Sequence, residues 1–324
     1  MLLDSDVIVD RRRIRRKLTF WRVVAALLAI GAIAGFAFYA TLGTRSSLTT
    51  AGAIARVRID GLIRSDAARV EALERLENSR AAAVIVHINS PGGTTAGSEQ
   101  LYDALVRLKA KKPLVVVVEG LAASGGYITA IAADHIIAQQ SSLVGSIGVL
   151  FQYPNLAELL KTIGVKVEEI KSSPLKAAPN GFEPTSPEAR AAIDSLVQDS
   201  YAWFKGLVKD RRGMDDALLG KVADGRVFTG RQAVDLKLID QLGDEKTAVA
   251  WLVEHKNVTK DLPVRDFRLN PRFGDLTFLR TAASITLDAL GMGAIARQIE
   301  QGGMTVDRLG LDGMLALWQP GATN

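Results

Sequence analysis

The sequence contains no cysteine, and this absence excludes several kinds of chemistry at once. A disulfide framework, a thiolate metal site and a cysteine nucleophile are all ruled out, while the cellular compartment stays open. Histidine is also scarce: His87, His135 and His255 are far apart, and no pair has the spacing of a helical zinc motif. We therefore expect neither a metal nor a cofactor. The chain can still bury a sizeable core, because 48% of its 324 residues are hydrophobic.

A broad positively charged surface is missing too, although the formal net charge is +5. Residues 1–22 contain seven Arg or Lys against three Asp, which accounts for four of the five net charges. The basicity is therefore one local block, and the rest of the chain is close to neutral. This distribution does not indicate a phosphate-binding face, and we expect no nucleic-acid partner.

An uncharged run of twenty residues, Val23–Leu42, follows the basic block. At 1.5 Å per residue it is long enough to cross a hydrocarbon core of about 30 Å. A cleaved signal peptide is the alternative, but the run is longer than a usual signal-peptide core and no clear small-residue cleavage site follows it. Because the basic residues precede the span and only Arg45 closely follows it, the positive-inside bias predicts a cytoplasmic N-terminus and an extracytoplasmic remainder.

Beyond the predicted anchor, apolar strand patterns alternate with amphipathic helix patterns. This alternation predicts an α/β fold with βαβ units and a largely parallel sheet. The predicted strands are 54–63, 82–89, 114–119, 135–138 and 165–171, and the predicted helices are 67–78, 95–110, 124–133, 154–164 and 186–212. We assign 1–22 to a basic cytoplasmic tail, 23–43 to a transmembrane anchor, 44–53 to a linker, 54–260 to the main domain and 261–324 to a C-terminal helical extension. We expect the apolar tail of this extension to dock onto the body or a neighbouring subunit.

Two turns between a strand and a helix contain residues that could take part in catalysis. The first, "NSPGG", ends at Gly93, and its glycine amides could face a developing oxyanion or could simply form a tight turn. The second, "ASGGY", places Ser124 after the buried strand pattern "LVVVVE", at the carboxyl edge of the predicted sheet. Ser124 could cap the following helix, or it could be a nucleophile whose Oγ faces the same point as the amide of Gly125.

A nucleophilic serine needs a base, and none of the three histidines is well placed to serve as one. A lysine in apolar surroundings is the alternative, because burial favours its neutral form. Lys176 in "PLKAA" has no charged residue close by in sequence, although local features also fit a solvated loop lysine. Lys171 is the rival. Ser146 in "GSIG" is either a satisfied turn hydroxyl or a group that orients the lysine amine.

The motifs "INSPGG", "ASGGY", "GSIGV" and "DGRVFTGRQAVDLKLID" occur in this order behind the predicted anchor. Together they resemble the short form of bacterial signal peptide peptidase A over roughly residues 54–255. The resemblance implies a fold like that of Clp protease and the crotonases and a serine endopeptidase anchored in the bacterial inner membrane. It also implies remnant signal peptides as substrates and a ring-shaped homo-oligomer. Lys237 stands where this family usually has glycine, at a helix end that favours a left-handed backbone.

Carried over residue by residue, the resemblance assigns a complete site. It implies Ser124 as nucleophile, Lys176 as general base, Gly93 and Gly125 as the oxyanion hole (with Gly92 as an alternative to Gly93), and Ser146 as the residue that orients the lysine. Two other functions remain open. The first is an inactive membrane scaffold, which the presence of both dyad residues disfavours. The second is an acyl-CoA-processing crotonase-like enzyme, which the predicted anchor disfavours.

Overall fold

The computed structural model describes residues 17, 19–22, 52–269 and 315–317. The chain divides into two units, Met1–Thr49 and Thr50–Asn324. In the first unit, residues 19–22 are helical and exposed. The predicted anchor Val23–Leu42 lies outside the described residues, and none of the helices within them has the length and apolar character that a bilayer span requires.

The second unit alternates strands and helices along most of its described length. Its strands are β1 (Ile54–Asp60), β2 (Ala83–Ser90), β3 (Gly92–Thr94), β4 (Leu114–Ala123), β5 (His135–Ala138), β6 (Leu143–Gly145), β7 (Val227–Thr229), β8 (Gln241–Leu242), β9 (Val264–Asp266) and β10 (Leu315–Leu317). Its helices are α1 (Ala67–Glu77), α2 (Thr95–Lys111), α3 (Gly125–Ala130), α4 (Ala157–Thr162), α5 (Pro187–Arg212), α6 (Asp216–Val222), α7 (Gly230–Asp235) and α8 (Glu245–Lys256).

Eight of the strands form one sheet in the order β7-β6-β4-β2-β1-β9, with β5 bridging β4 and β8. All strand pairs in this sheet are parallel except β6–β7. The prediction of an α/β fold with a largely parallel sheet is therefore confirmed. The remaining two strands, β3 and β10, pair antiparallel in a small second sheet.

Strand β4 is the central element of the main sheet. Its apolar start, Leu114–Val118, is fully buried between β2 and β5, as expected for a parallel strand covered on both faces. The strand continues beyond the predicted end to Ala123, where β6 replaces β5 as its neighbour. Ser124 therefore follows directly at the end of a ten-residue strand.

Helix α5 has a serine cap and a first-turn proline at its N-terminus, and it ends in a glycine cap. The Ser186 side chain accepts a hydrogen bond from the Ala189 N–H, and Pro187 occupies the first turn. The helix stops at Gly213, which adopts φ 57°. One face of the helix packs into the core through the fully buried Phe204 and Val208.

The segment between β6 and α5 differs from the prediction. Residues 165–171 were expected to form a strand, and this is wrong: the segment is irregular. Its apolar residues, Val165, Val167 and Ile170, remain exposed, so no burial stabilises an extended conformation there. The helix predicted at 154–164 is also shorter, as α4. Within the predicted C-terminal helical extension, 261–324, the described residues include the short strands β9 and β10. Residues 270–314 and 318–324 lie outside the described residues.

Candidate active site

The strand register brings the two glycine-containing turns together. Ser90 at the end of β2 is the register partner of Ala122 in β4. The turn that follows Ser90 therefore lies beside the turn that follows Ala122. The approach is close enough that a Cβ on Gly126 would lie 2.7 Å from the Ser90 carbonyl oxygen, a contact that only glycine avoids.

Ser124 has an unusual backbone at the junction of β4 and α3. Its φ of 52° and ψ of −114° are rare for a residue with a side chain. It occupies the cap position of α3, yet its side chain makes no capping hydrogen bond. Its Oγ is 3.4 Å from the Gly148 carbonyl oxygen, a long and weak contact. The hydroxyl therefore does not cap the helix. The residue is nevertheless buried, with 1% of its surface exposed.

The amide of Gly125 is available beside this hydroxyl. Gly125 is the first residue of α3, where a backbone N–H has no partner inside the helix. The part of the chain that the structure describes supplies no other acceptor for it. An unpaired amide next to a candidate nucleophile can stabilise a developing oxyanion.

The second candidate oxyanion donor is the backbone N–H of either Gly92 or Gly93, the two glycines of the first turn. The Gly92 N–H donates to the Ser90 Oγ at 3.1 Å, so it is already engaged. Gly93 is under a tighter steric constraint, because a Cβ there would lie 1.7 Å from the Ile63 carbonyl oxygen. Because the Gly92 N–H is engaged by Ser90, Gly93 is the better candidate for the donor.

Ser146 lies next to the candidate nucleophile. Gly145 is the register partner of Ala123, and its carbonyl accepts from the Ser124 N–H at 2.8 Å. Ser146 is 7% exposed with φ 52°, and its N–H donates to the Arg226 carbonyl at 2.8 Å. The end of β6 is thus fixed on both sides, which places Ser146 at the same edge as Ser124.

No hydrogen bond within the described chain connects Lys176 to this edge. Lys176 lies in an exposed turn where its backbone N–H donates to the Ser173 carbonyl, and its Nζ makes no hydrogen bond to a described residue. The rival Lys171 is held between Glu169 and Glu183, with its Nζ 2.6 Å from each carboxylate. These contacts raise the pKa of Lys171, so its amine is held in the protonated form, which cannot accept a proton from Ser124.

The histidines do not supply a base for Ser124. His87 is buried, with its Nδ1 2.7 Å from Glu119 and its Nε2 2.8 Å from Glu245, so carboxylates engage both ring nitrogens. His135 stacks on Trp251 with ring centroids 4.5 Å apart, and burial lowers its pKa. The pairing of His87 with two carboxylates was missed by the sequence analysis, since the partners are 32 and 158 residues away.

Two family models match the chain. The model described as peptidase family S49 matches residues 106–259, and the Clp protease model matches residues 56–143. A relative named as a protease in Synechocystis sp. is 36% identical over 200 residues, which cover 61% of this chain and 72% of that protein. The relative named "Serine protease SPPA, chloroplastic" from Arabidopsis thaliana is 33% identical over 56% of this chain.

The matches differ in how much of each known protein they cover. The matched region is only 27% of the Arabidopsis protein, so this chain spans less than two thirds of that relative. Among solved structures, a mutant of ClpP1 from Listeria monocytogenes aligns with a TM-score of 0.42 at 16% identity. That alignment covers 63% of this chain and 96% of the ClpP1 chain.

Proposed function

The chain belongs to peptidase family S49 and is a serine peptidase, and from this premise we propose that Ser124 is its nucleophile. The observation that best supports this role is the backbone of Ser124. A residue at φ 52° and ψ −114° stores strain, and such strain is tolerated where it positions a reacting group. The unused Oγ and the free amide of Gly125 are the two further elements that acyl transfer needs.

In the proposed reaction, the Ser124 Oγ attacks a peptide carbonyl while a neutral Lys176 amine accepts its proton. The tetrahedral intermediate places its oxyanion at the amides of Gly93 and Gly125. The protonated lysine then donates to the leaving amine, and an acyl-enzyme remains. Water, deprotonated by the same lysine, hydrolyses the ester and releases Ser124. Ser146 orients the lysine amine in this scheme.

We further propose that the dyad is completed between two copies of the chain. Lys176 is exposed, and no hydrogen bond within the described chain connects it to Ser124. Exposed apolar side chains surround it in sequence, among them Ile170, Leu175 and Phe182. If a neighbouring copy covers this segment, burial of the apolar side chains favours assembly and desolvation favours the neutral amine. A ring-shaped homo-oligomer is a natural arrangement for such a head-to-tail contact.

The proposed setting is the bacterial inner membrane, with Val23–Leu42 as a single span and the peptidase domain outside the cytoplasm. The proposed substrates are remnant signal peptides and other apolar peptides near the membrane. An extended peptide can be held at an exposed strand edge by backbone hydrogen bonds alone, which suits substrates of varied sequence.

The nucleophile and base are tested by Ser124→Ala and Lys176→Ala in the full chain, purified in detergent, with cleavage of casein and of a signal peptide as the readouts. Each substitution should reduce kcat by at least about a thousandfold. Lys166→Ala is the matched control, because this lysine is exposed and pairs with Glu168 in the same segment. It should retain parental activity. Parental rates in either dyad variant would contradict the mechanism.

The assembly between copies has its own test. The two inactive variants are mixed, dissociated and reassembled. If one copy supplies the serine and its neighbour the lysine, random mixing regenerates intact sites at about a quarter of the interfaces. A dyad contained within one chain predicts that the mixture stays inactive. Co-assembly of the two variants, verified with differently sized affinity tags, makes an inactive mixture informative.

A further inference from the structure

The C-terminal strand β10 pairs with the strand that contains the proposed oxyanion glycine. Leu315, Ala316 and Leu317 are register partners of Thr94, Gly93 and Gly92, in antiparallel orientation. These two strands form a sheet of their own, separate from the main sheet. Residues more than 220 positions apart in the chain therefore meet at the candidate active site.

The backbone groups of β3 divide between its two edges. On one edge, the Ile63 N–H donates to the Gly92 carbonyl at 2.8 Å, and the Thr94 N–H donates to the Ile63 carbonyl at 2.9 Å. Because backbone groups alternate along a strand, the N–H and C=O of Gly93 face the opposite edge. This is the edge at which Ala316 lies. The amide proposed to stabilise the oxyanion thus faces the C-terminal segment.

We propose that residues 315–317 are a built-in peptide ligand of the active site, which occupies the path of an extended substrate along β3. The inference rests on the proposed function for the identity of the competing ligand, an extended peptide that pairs antiparallel with Gly92–Thr94. In this register the Ala316 carbonyl lies opposite the Gly93 amide, as the carbonyl of a bound substrate would. The segment therefore limits access to the site until a substrate displaces it.

The short length of the pairing between β10 and β3 suits a ligand that a substrate can displace. Three residues give a short ladder, and an isolated two-stranded pair is marginal in water. Tethering compensates, because a segment on the same chain has an effective concentration in the millimolar range. Pairing through the backbone also tolerates substrates of different sequence. A tethered strand of this kind competes with weak ligands and yields to those present in excess.

The test uses the full chain with Ala316→Pro, which removes one backbone N–H and disfavours the ladder. The matched control is Ala322→Pro, the same substitution further along the tail and outside β10. The first readout is amide hydrogen exchange of residues 92–94 in the Ser124→Ala background, which needs no catalysis. We expect exchange at Gly93 to accelerate about threefold in the Ala316→Pro chain, since an occupancy of about two thirds leaves the amide open a third of the time, and to stay at the parental rate in the control. Equal exchange in all three chains would overturn the inference.

The second readout is the hydrolysis of a short apolar peptide by chains that retain Ser124. We expect Ala316→Pro to lower KM at least about threefold with kcat unchanged, since an occupancy of about two thirds reduces apparent affinity by that factor. A synthetic peptide of residues 310–324 should restore the parental KM. An unchanged KM contradicts the inference while leaving the peptidase function intact. If no chain cleaves any peptide but Gly93 exchange still responds to Ala316→Pro, the tail occupies the site and the proposed function fails instead.

Discussion

Ser124 combines a strained backbone with a side chain that makes no capping hydrogen bond to the helix it precedes. Ala123 before it belongs to β4 and Gly125 after it begins α3, so the reversal of direction falls on a single residue. Glycine would meet this conformation with less strain. The conformation of the turn therefore does not by itself explain why serine occupies this position.

The backbone strain at Ser124 can be measured by comparing the free energies of unfolding of Ser124→Gly and Ser124→Ala. Both variants lose the hydroxyl, but only glycine relieves the strain at φ 52°, so we expect Ser124→Gly to be about 1–3 kcal/mol more stable than Ser124→Ala. Urea unfolding measures the difference. Lys237→Gly serves as the control, since Lys237 also has a positive φ, 57°, and is far from Ser124 in sequence. It should gain stability without losing activity, and equal stability of the two Ser124 variants would argue against stored strain.

At the level of single residues, sequence patterns identified those held by local structure. Ser124, Ser146 and Gly93 lie at one edge because strand ends and glycine turns place them there, and such signals are visible in a short stretch of sequence. The left-handed backbone of Lys237 was likewise predictable from its position at a helix end. The exposed position of Lys176 was not predictable, because a short stretch of sequence does not show whether a loop is buried by distant parts of the fold.

Helix α3 is short, and its far end is held by a side chain from another helix. Arg211 of α5 donates from Nε to the Ile131 carbonyl at 2.8 Å, and from Nη2 to the Ala132 and Ala133 carbonyls at 3.2 and 3.0 Å. These carbonyls belong to the buried turn that follows α3. A cation at a helix C-terminus also complements the helix dipole. The orientation of the helix that begins beside Ser124 therefore depends on α5.

Removing this contact should affect both stability and catalysis. We expect Arg211→Met to destabilise the fold by about 1–3 kcal/mol, because buried carbonyls lose their donor, and to lower kcat more than it changes KM. Thermal unfolding and peptide hydrolysis are the measurements. Arg190→Met, at an exposed position of the same helix, should change neither. A loss of stability with parental kcat would mean that Arg211 supports the fold but not the position of the nucleophile.

Elements with a strong internal pattern were predicted well, and those defined by distant partners were not. The strands around Val84 and Val116 and the capped helix α5 carry their own signals in hydrophobic pattern and end residues. Residues 165–171 contain β-branched residues typical of a strand but pair with no strand of the described sheet, so the strand prediction was wrong. Strand β10 forms only by pairing with Gly92–Thr94, and its three residues carry no recognisable strand signal of their own.

Across the whole molecule, one polar network ties the sheet to α8. Glu245 at the start of α8 binds Arg56 of β1, with its carboxylate oxygens 2.5 Å from Nε and 2.6 Å from Nη2. The same carboxylate contacts His87 of β2, which in turn contacts Glu119 of β4. The hydrogen bond from Arg56, opposed in part by burial, makes the pKa of Glu245 lower than usual.

This network predicts how stability varies with pH. A carboxylate whose pKa is lowered on folding stabilises the fold fully above its ordinary pKa of 4.5, and the contribution is lost as pH falls through the lowered value. We therefore expect Glu245→Gln to be about 2 kcal/mol less stable than the parent at pH 7, with the gap closing in acid below that range. Urea unfolding across pH measures it. Glu71→Gln, at an exposed position of α1, should show no gap, and a Glu245→Gln gap that persists in strong acid would contradict the linkage.

The order of strands in the main sheet has a consequence for when the enzyme becomes active during synthesis. Ser124 lies in the first half of the chain, but the backbone beside it is fixed by residues made much later: Arg226 binds the Ser146 amide, and β7 completes the sheet next to β6. Contacts between distant parts of a chain form late in folding. A nascent chain that has emerged only as far as Ser124 therefore has no organised active site.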